Sequence, residues 1–222
     1  MRRLVILRPE PGAGQTLARA KARGWDAVSV PLFEVEAIEW SAPDPAAFDG
    51  LLVTSANAVR QAGSGLQRLR SLPAYAVGDA TAQALRDAGF DVAASGQGGV
   101  DALLSARPTG LRLLHLAGED RREPSSSPHE ITPVVVYRSV PIEQPTGLDA
   151  LTGAVTLVHS PRAGQRLAEI VPDRERTMVA AISPAAAAAC GSGWERIAAC
   201  ESPDDEALLS LAERLCKTPA RP

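Results

Sequence analysis

The chain has 222 residues, 45% of them hydrophobic, and a net charge of -3, the make-up of an ordinary globular protein long enough for two modest cores. No apolar run nears the roughly 20 residues that cross a bilayer. Leu4 to Leu7 is too short for the apolar region of a signal peptide, and there is no basic tail. These features predict a cytoplasmic monomer that engages neither membrane nor nucleic acid.

In chain order, short apolar runs alternate with helical patterns, the signature of parallel α/β units. Arg3 to Leu7 reads as a strand, followed by a helix over about Gln15 to Arg23 that stops at Gly24. Trp25 to Val30 leads back into a sheet. Gly50 to Thr54 is a buried strand with Ser55 or Asn57 suited to open the next helix. Tyr75 to Val77 is another, and Asp79 to Leu85 a helix that ends at Gly89. Leu111 to Leu116 completes this set. Val155 to Val158 and Val179 to Ile182 repeat the plan, the latter followed by Ser183-Pro184 as cap and first helical residue. The last helix has Ser202 as predicted cap, Pro203 in its first turn, and Leu208, Leu211, Ala212 and Leu215 as one apolar stripe. Cys190, Cys200 and Cys216 are odd in number and lack C-x-x-C spacing, so reduced, buried thiols are predicted and no metal.

The chain repeats itself at an offset of 105 residues. Leu52-Val53-Thr54-Ser55 returns as Leu157-Val158-His159-Ser160, and Ala102-Leu103-Leu104-Ser105 as Ala207-Leu208-Leu209-Ser210. A period this long exceeds solenoid repeats and fits one small domain. Arg3 to Leu7 also resembles Arg112 to Leu116, so the first strand belongs with the C-terminal third. The expected fold is α/β, with two similar lobes, each a parallel sheet flanked by helices: residues 1–34 plus 141–222, and residues 35–140. Two extended segments near 31–40 and 133–142, bounded by Pro and rich in β-branched residues, are expected to pair as a crossover ladder between the lobes. A ligand is expected between the lobes, with closure upon it.

The opening I-L-R-P, T-S-A-N-A-V at 54–59, A-V-G-D-A-T-A at 76–82, L-A-G-E-D-R-R at 116–122, V-V-Y-R-S at 135–139, H-S-P at 159–161 and the E-S-P that follows Gly193-Trp194 occur in one order. Together they resemble the uroporphyrinogen-III synthase family from about residue 4 to 216. The resemblance implies a lyase, without cofactor, that converts hydroxymethylbilane into cyclic uroporphyrinogen III. The terminal pyrrole is inverted and water is lost. It also implies hydroxymethylbilane synthase, which makes the unstable substrate, as the candidate for transient contact. Tyr137 matches the family position considered as proton donor to the departing hydroxyl, a task a phenol with a pKa of about 10 can perform.

The substrate carries eight carboxylates, so donors and helix starts are the expected binding groups. Ser55, Asn57, Gly78, Asp79, Thr81, Ser160, Arg162 and Ser183 all follow strands at the ends where α/β proteins bind ligands. Arg8, directly after the first strand, is the foremost basic candidate, with Arg121 and Arg122 behind it. The plain alternative is capping for the helix-start residues, a solvated Arg8 and a structural Tyr137. Of the histidines, His115 is expected in a core, His129 on the surface and His159 as a candidate for the cleft border. The Ala185 to Ala189 run reads as helix packing. Two departures from the family pattern stand out. Ala185 and Ala186 replace a usual Thr pair, and Glu123 to Glu130 is too short and too rich in Pro and Ser for the usual helix, which predicts a middle lobe short of one helix. Competing readings are a two-lobed ligand binder without chemistry and a nucleotide-sugar transferase, for which Gly12-Ala13-Gly14 and Gly96 to Gly99 are weak signals.

Overall fold

A computed structural model describes residues 2–96, 98–121, 127–171 and 173–217. The chain divides into two compact units, Met1–Glu34 with Val140–Pro222, and Val35–Ser139. Both are α/β.

Unit 1 is built on a five-stranded sheet. Its strands are β1 (Leu4–Ile6), β2 (Ala27–Ser29), β9 (Val155–Val158), β10 (Met178–Ala181) and β11 (Arg196–Ala199), in the order β11-β10-β9-β1-β2 and all parallel. Leu4 and Ile6 face one layer with Val155 and Leu157, where helices α1 (Gly12–Ala22) and α7 (Asp205–Lys217) bring Ala13, Ala20, Leu208 and Leu211. Val5 and Leu7 face the other with Val158 and Val179, covered by α5 (Pro161–Ile170) and α6 (Pro184–Ala189) through Ala163, Leu167 and Ala186. Burial on both faces is why these strands read as unbroken apolar runs.

Unit 2 holds β4 (Gly50–Val53), β5 (Ala74–Val77), β6 (Val92–Gly96) and β7 (Arg112–Gly118), with the two longer segments β3 (Phe33–Ala37) and β8 (Glu130–Pro141). The order is β3-β8-β7-β4-β5-β6. Helices α2 (Ala56–Gln61) and α3 (Asp79–Asp87) cover one face, and α4 (Gly99–Ser105) the other through Val100, Leu103 and Leu104. From β6 to β8 the order matches that of unit 1 from β11 to β2, strand for strand. The chain passes between units inside β3 and inside β8. The Ile38 amide donates to Val136 O at 2.9 Å, and Arg138 reaches back to Glu36. Residue numbers therefore fall on β8 as they rise on β3, and this one pairing is antiparallel.

Several expectations need correction. The first helix begins at Gly12, three residues before Gln15. Asp204 caps α7 in place of Ser202, its Oδ1 accepting from the Ala207 amide at 2.8 Å. His129 is buried, because its imidazole bridges Leu104 O (3.1 Å) and the Leu111 amide (3.4 Å) at the end of α4. Within 185–189 only Ala186 is buried. Cys190 and Cys200 are buried but Cys216 is half-buried, and all three are free thiols. Of the link between β7 and β8, residues 119–121 and 127–129 are non-helical, whereas 122–126, with Arg122, lie outside the described residues. Among the described residues no helix is long and apolar enough to cross a membrane.

Candidate functional site

Parallel sheets gather their functional groups at the carboxyl ends of the strands, where each chain segment turns into a helix. The candidate residues occupy these turns.

In unit 2, Ser55 follows β4 and caps α2, its Oγ accepting from the Asn57 amide at 3.2 Å. A capping hydroxyl spends a lone pair and keeps its proton, so Ser55 remains a donor. Asn57 is half-buried on the same turn. Gly78 caps α3 with φ of 83°, a conformation glycine adopts without strain, and a Cβ there would meet nothing within 4 Å. The chain at this turn is thus open to an approaching group. Asp79 is exposed at the first position of α3, where its carboxylate suits the positive end of the dipole. Thr81 needs correction as a binding side chain: at 4% exposure it faces the core, and its amide is taken by Gly78 O at 3.2 Å.

Tyr137 stands where β8 breaks register. Ala117 pairs with Val135 and Gly118 with Tyr137, leaving Val136 as the extra residue of a bulge. Bulges re-aim side chains, and here Val134, Val136 and Tyr137 all pack against one core cluster, which strict alternation would forbid. The half-buried ring crosses Gly118 so closely that a Cβ on that glycine would lie 2.5 Å from Cζ and 2.8 Å from Oη. Sequence reasoning found the tyrosine and missed the glycine that makes room for it.

In unit 1, Ser160 and Ser183 cap α5 and α6, accepting from the Ala163 and Ala186 amides at 3.2 Å, each followed by Pro. Helix α5 has 10 residues and α6 only 6, so α5 offers the longer dipole. Arg162 is exposed on the first turn of α5, its guanidinium 4.8 Å from the Phe33 ring centre.

Arg8 is not the free, solvated cation that the plain alternative supposes. Its Nη1 donates to Asp205 Oδ1 at 3.1 Å. Asp205 Oδ2 accepts from Thr16 Oγ1 and from Arg19 Nη1, both at 2.7 Å. His159, the residue after β9, brings Nε2 to 3.3 Å from Asp205 Oδ1 without good hydrogen-bond alignment. Burial works against the Asp205 charge, yet His159, Thr16 and the Arg8 guanidinium outweigh it and hold the carboxyl well below the usual range. Burial also pushes the His159 pKa down, helped by Arg8 and opposed by Asp205, so the imidazole is neutral at pH 7. Asp205 is not among the site residues that the sequence singles out. The signal that could have marked it is its place just after a strand, in one sheet with the strand ends of Arg8 and His159.

His115 is buried as expected, its Nε2 3.1 Å from Thr54 Oγ1. Arg121 is half-buried beyond β7.

The family model for Uroporphyrinogen-III synthase HemD matches residues 15–210. Among solved structures, the uroporphyrinogen-III synthetase of Helicobacter pylori is similar over 97% of this chain and 100% of its own, at 22% identity and a TM-score of 0.67. A mutant uroporphyrinogen III synthase of Thermus thermophilus is similar over 98% of this chain and 100% of its own, at 18% identity and a TM-score of 0.52. At these identities the likeness is one of fold. No curated protein sequence matches the chain.

Proposed function

The chain belongs to the uroporphyrinogen-III synthase family, and from that membership we propose how its residues turn hydroxymethylbilane into uroporphyrinogen III. The activity is that of a cyclising lyase. The family match over residues 15–210 is the observation that carries it.

The difficulty of this reaction is geometric. The same substrate closes without catalysis to the uninverted type I isomer, so the protein must govern which ring carbon is attacked. In the reading favoured here, the Tyr137 hydroxyl donates its proton to the departing hydroxyl of the substrate. The C–O bond breaks, water leaves, and a cationic azafulvene remains. Attack on it by the substituted carbon of the terminal ring gives a spiro intermediate, whose opening and reclosure invert that ring; the proton lost as the last pyrrole regains aromaticity balances the one Tyr137 gave and restores its phenol. Two features support Tyr137: the bulge that sets its direction and the side-chain-free Gly118 beneath its ring.

The substrate carboxylates fall to the turns after the strands. Ser55, Ser160 and Ser183 donate hydroxyl protons, Asn57 its side-chain amide, and Gly78 and Asp79 open the positive end of α3 to an anion, the Gly78 N–H itself being held by Gly96 O at 2.8 Å. Arg8 and Arg162 supply positive charge. Helix starts bind anions through aligned N–H dipoles, which lets a protein of net charge -3 hold a polyanion. With Ala185 and Ala186 at the start of α6, Ser183 is the remaining hydroxyl on that turn.

A monomer in the cytoplasm, receiving its unstable substrate by brief contact with hydroxymethylbilane synthase, completes the proposal. Three free thiols accord with a reducing compartment. The decisive experiment mixes the protein with freshly generated hydroxymethylbilane, oxidises the products and separates the uroporphyrin isomers. Type III is expected to predominate. Type I alone, formed at the rate seen without protein, overturns the assignment.

A further inference from the structure

The Arg8 cluster raises a question that the internal repeat answers. Asp205 has only 11% of its side chain exposed, His159 8%, and two arginines meet the one carboxylate. Taking the Asp205 charge out of water carries a cost that its pairing must offset. A fold that needed this cluster would carry it in both copies.

Unit 2 does not. Leu4 pairs with Val155 in one sheet as Leu113 pairs with Gly50 in the other. That register makes Ala117 the counterpart of Arg8, and Thr54 the counterpart of His159. The helix repeat, Ala207 to Ser210 against Ala102 to Ser105, makes Val100 the counterpart of Asp205. The same strand order forms with an alanine, a threonine and a valine in these places. The strand order therefore does not require the cluster.

What the cluster does provide is a fixed cation. Asp205 Oδ1 holds Arg8 Nη1, and the rest of the guanidinium lies against Gly12, where a Cβ would collide with Nε, Cζ and Nη2. A third of the Arg8 side chain stays exposed. Arg8 and Arg19 together face one carboxylate, which leaves one positive charge in excess among these groups. The neutral His159 adds no further cation to compete for Asp205. Glu10, on the same turn, is committed to the Gly14 amide at 2.9 Å. A planar guanidinium already held in place loses less entropy on meeting a carboxylate than a free one.

We propose that Asp205 is a positioning residue, which fixes the Arg8 guanidinium at the end of β1 to receive one carboxylate of the substrate. The role rests on the synthase reading above. Asp205 acts through Arg8 and does not touch substrate itself, so its effect should vanish when Arg8 is absent.

A double-mutant cycle in steady-state type III formation tests this. Asp205→Asn keeps the volume and the Thr16 contact and is expected to raise KM about tenfold with a smaller change in kcat. Arg8→Ala is expected to do the same, and the double variant to be no worse than Arg8→Ala alone. An Asp205→Asn effect as large in the Arg8→Ala background as in the parent overturns the role. If Asp205→Asn does not fold, Arg8→Lys decides: it keeps the charge but not the held fork, so KM near the Arg8→Ala value supports positioning and an unchanged KM refutes it. A parent protein that yields only type I defeats the synthase reading itself. Type III from the parent with independent effects defeats only Asp205.

Discussion

At the scale of single residues, Tyr137 and Gly118 form one device. Tyr137→Phe removes the proposed proton donor and leaves the ring in place, so single-turnover formation of type III should slow by about 10²-fold or more, with the thermal midpoint unchanged. An unaltered rate would take Tyr137 out of the mechanism. Gly118→Ala tests the seat of the ring. Its Cβ would lie 2.5 Å from the ring, and overpacking of this kind costs about 1–3 kcal/mol. The expected result is a lower urea midpoint together with lost activity, whereas loss of stability with full activity would mean that the ring position is immaterial. The tyrosine was legible in the sequence and its direction was not. A bulge is a fault in register between β7 and β8, strands that a linear pattern does not show to be neighbours. Thr81 failed for a related reason: it lies in a motif that reads as polar, yet its place on α3 turns it inward.

At the scale of elements, three helices follow a Ser-Pro pair and only two are capped by it. Ser160-Pro161 and Ser183-Pro184 behave as cap and first residue, each Oγ accepting an amide three positions on. Ser202-Pro203 comes early. Asp204 takes the Ala207 amide, and α7 starts at Asp205. A carboxylate accepts that bond with full charge and also suits the dipole, so it displaces the hydroxyl two residues upstream. Asp204→Ala should therefore cost about 1 kcal/mol, read as a shift in the urea midpoint, and Ser202→Ala should fall within about 0.5 kcal/mol of the parent. The reverse order would restore Ser202 as the cap. The strands and helices that the sequence did show were readable because buried parallel strands are unbroken apolar runs and helices end at Gly24 and Gly89, both with positive φ, whereas β6, β11, α4 and α5 were not read. His129 was not readable. A polar Ser-Pro neighbourhood says nothing of the carbonyl of Leu104 that its ring must satisfy.

At the scale of the whole molecule, divergence between the two copies should make unit 1 acid-sensitive through His159. His159 has a folded pKa below its unfolded value of about 6.5. The stability from keeping it neutral is complete above pH 6.5 and is lost as pH falls from there toward the folded pKa, by up to about 1.4 kcal/mol per pH unit. Asp205, also depressed, holds its contribution down to the ordinary carboxylate range and loses it only below about pH 4. Between pH 6.5 and 5 the His159 effect thus acts alone among these two, and it acts in unit 1. Its counterpart Thr54 does not titrate, nor do Val100 and Ala117. Unit 2 does hold a charged pair at the amino ends of its strands, Asp49 with Arg112, where the Arg112 hydrogen bonds lower the Asp49 carboxyl to about 2. That pair is exposed and titrates well below this window. Native-state hydrogen exchange at pH 8 and pH 5 should accordingly show amides of β1, β9 and α7 losing protection; unit 2 has its own buried histidines, His115 on β7 and His129, so the assignment to His159 is read from the variant. In His159→Gln the difference between the two pH values should shrink, since the replacement removes the group that the unfolded chain protonates. A loss in unit 1 untouched by His159→Gln would place the acid response elsewhere and separate the fate of His159 from that of the charges it faces.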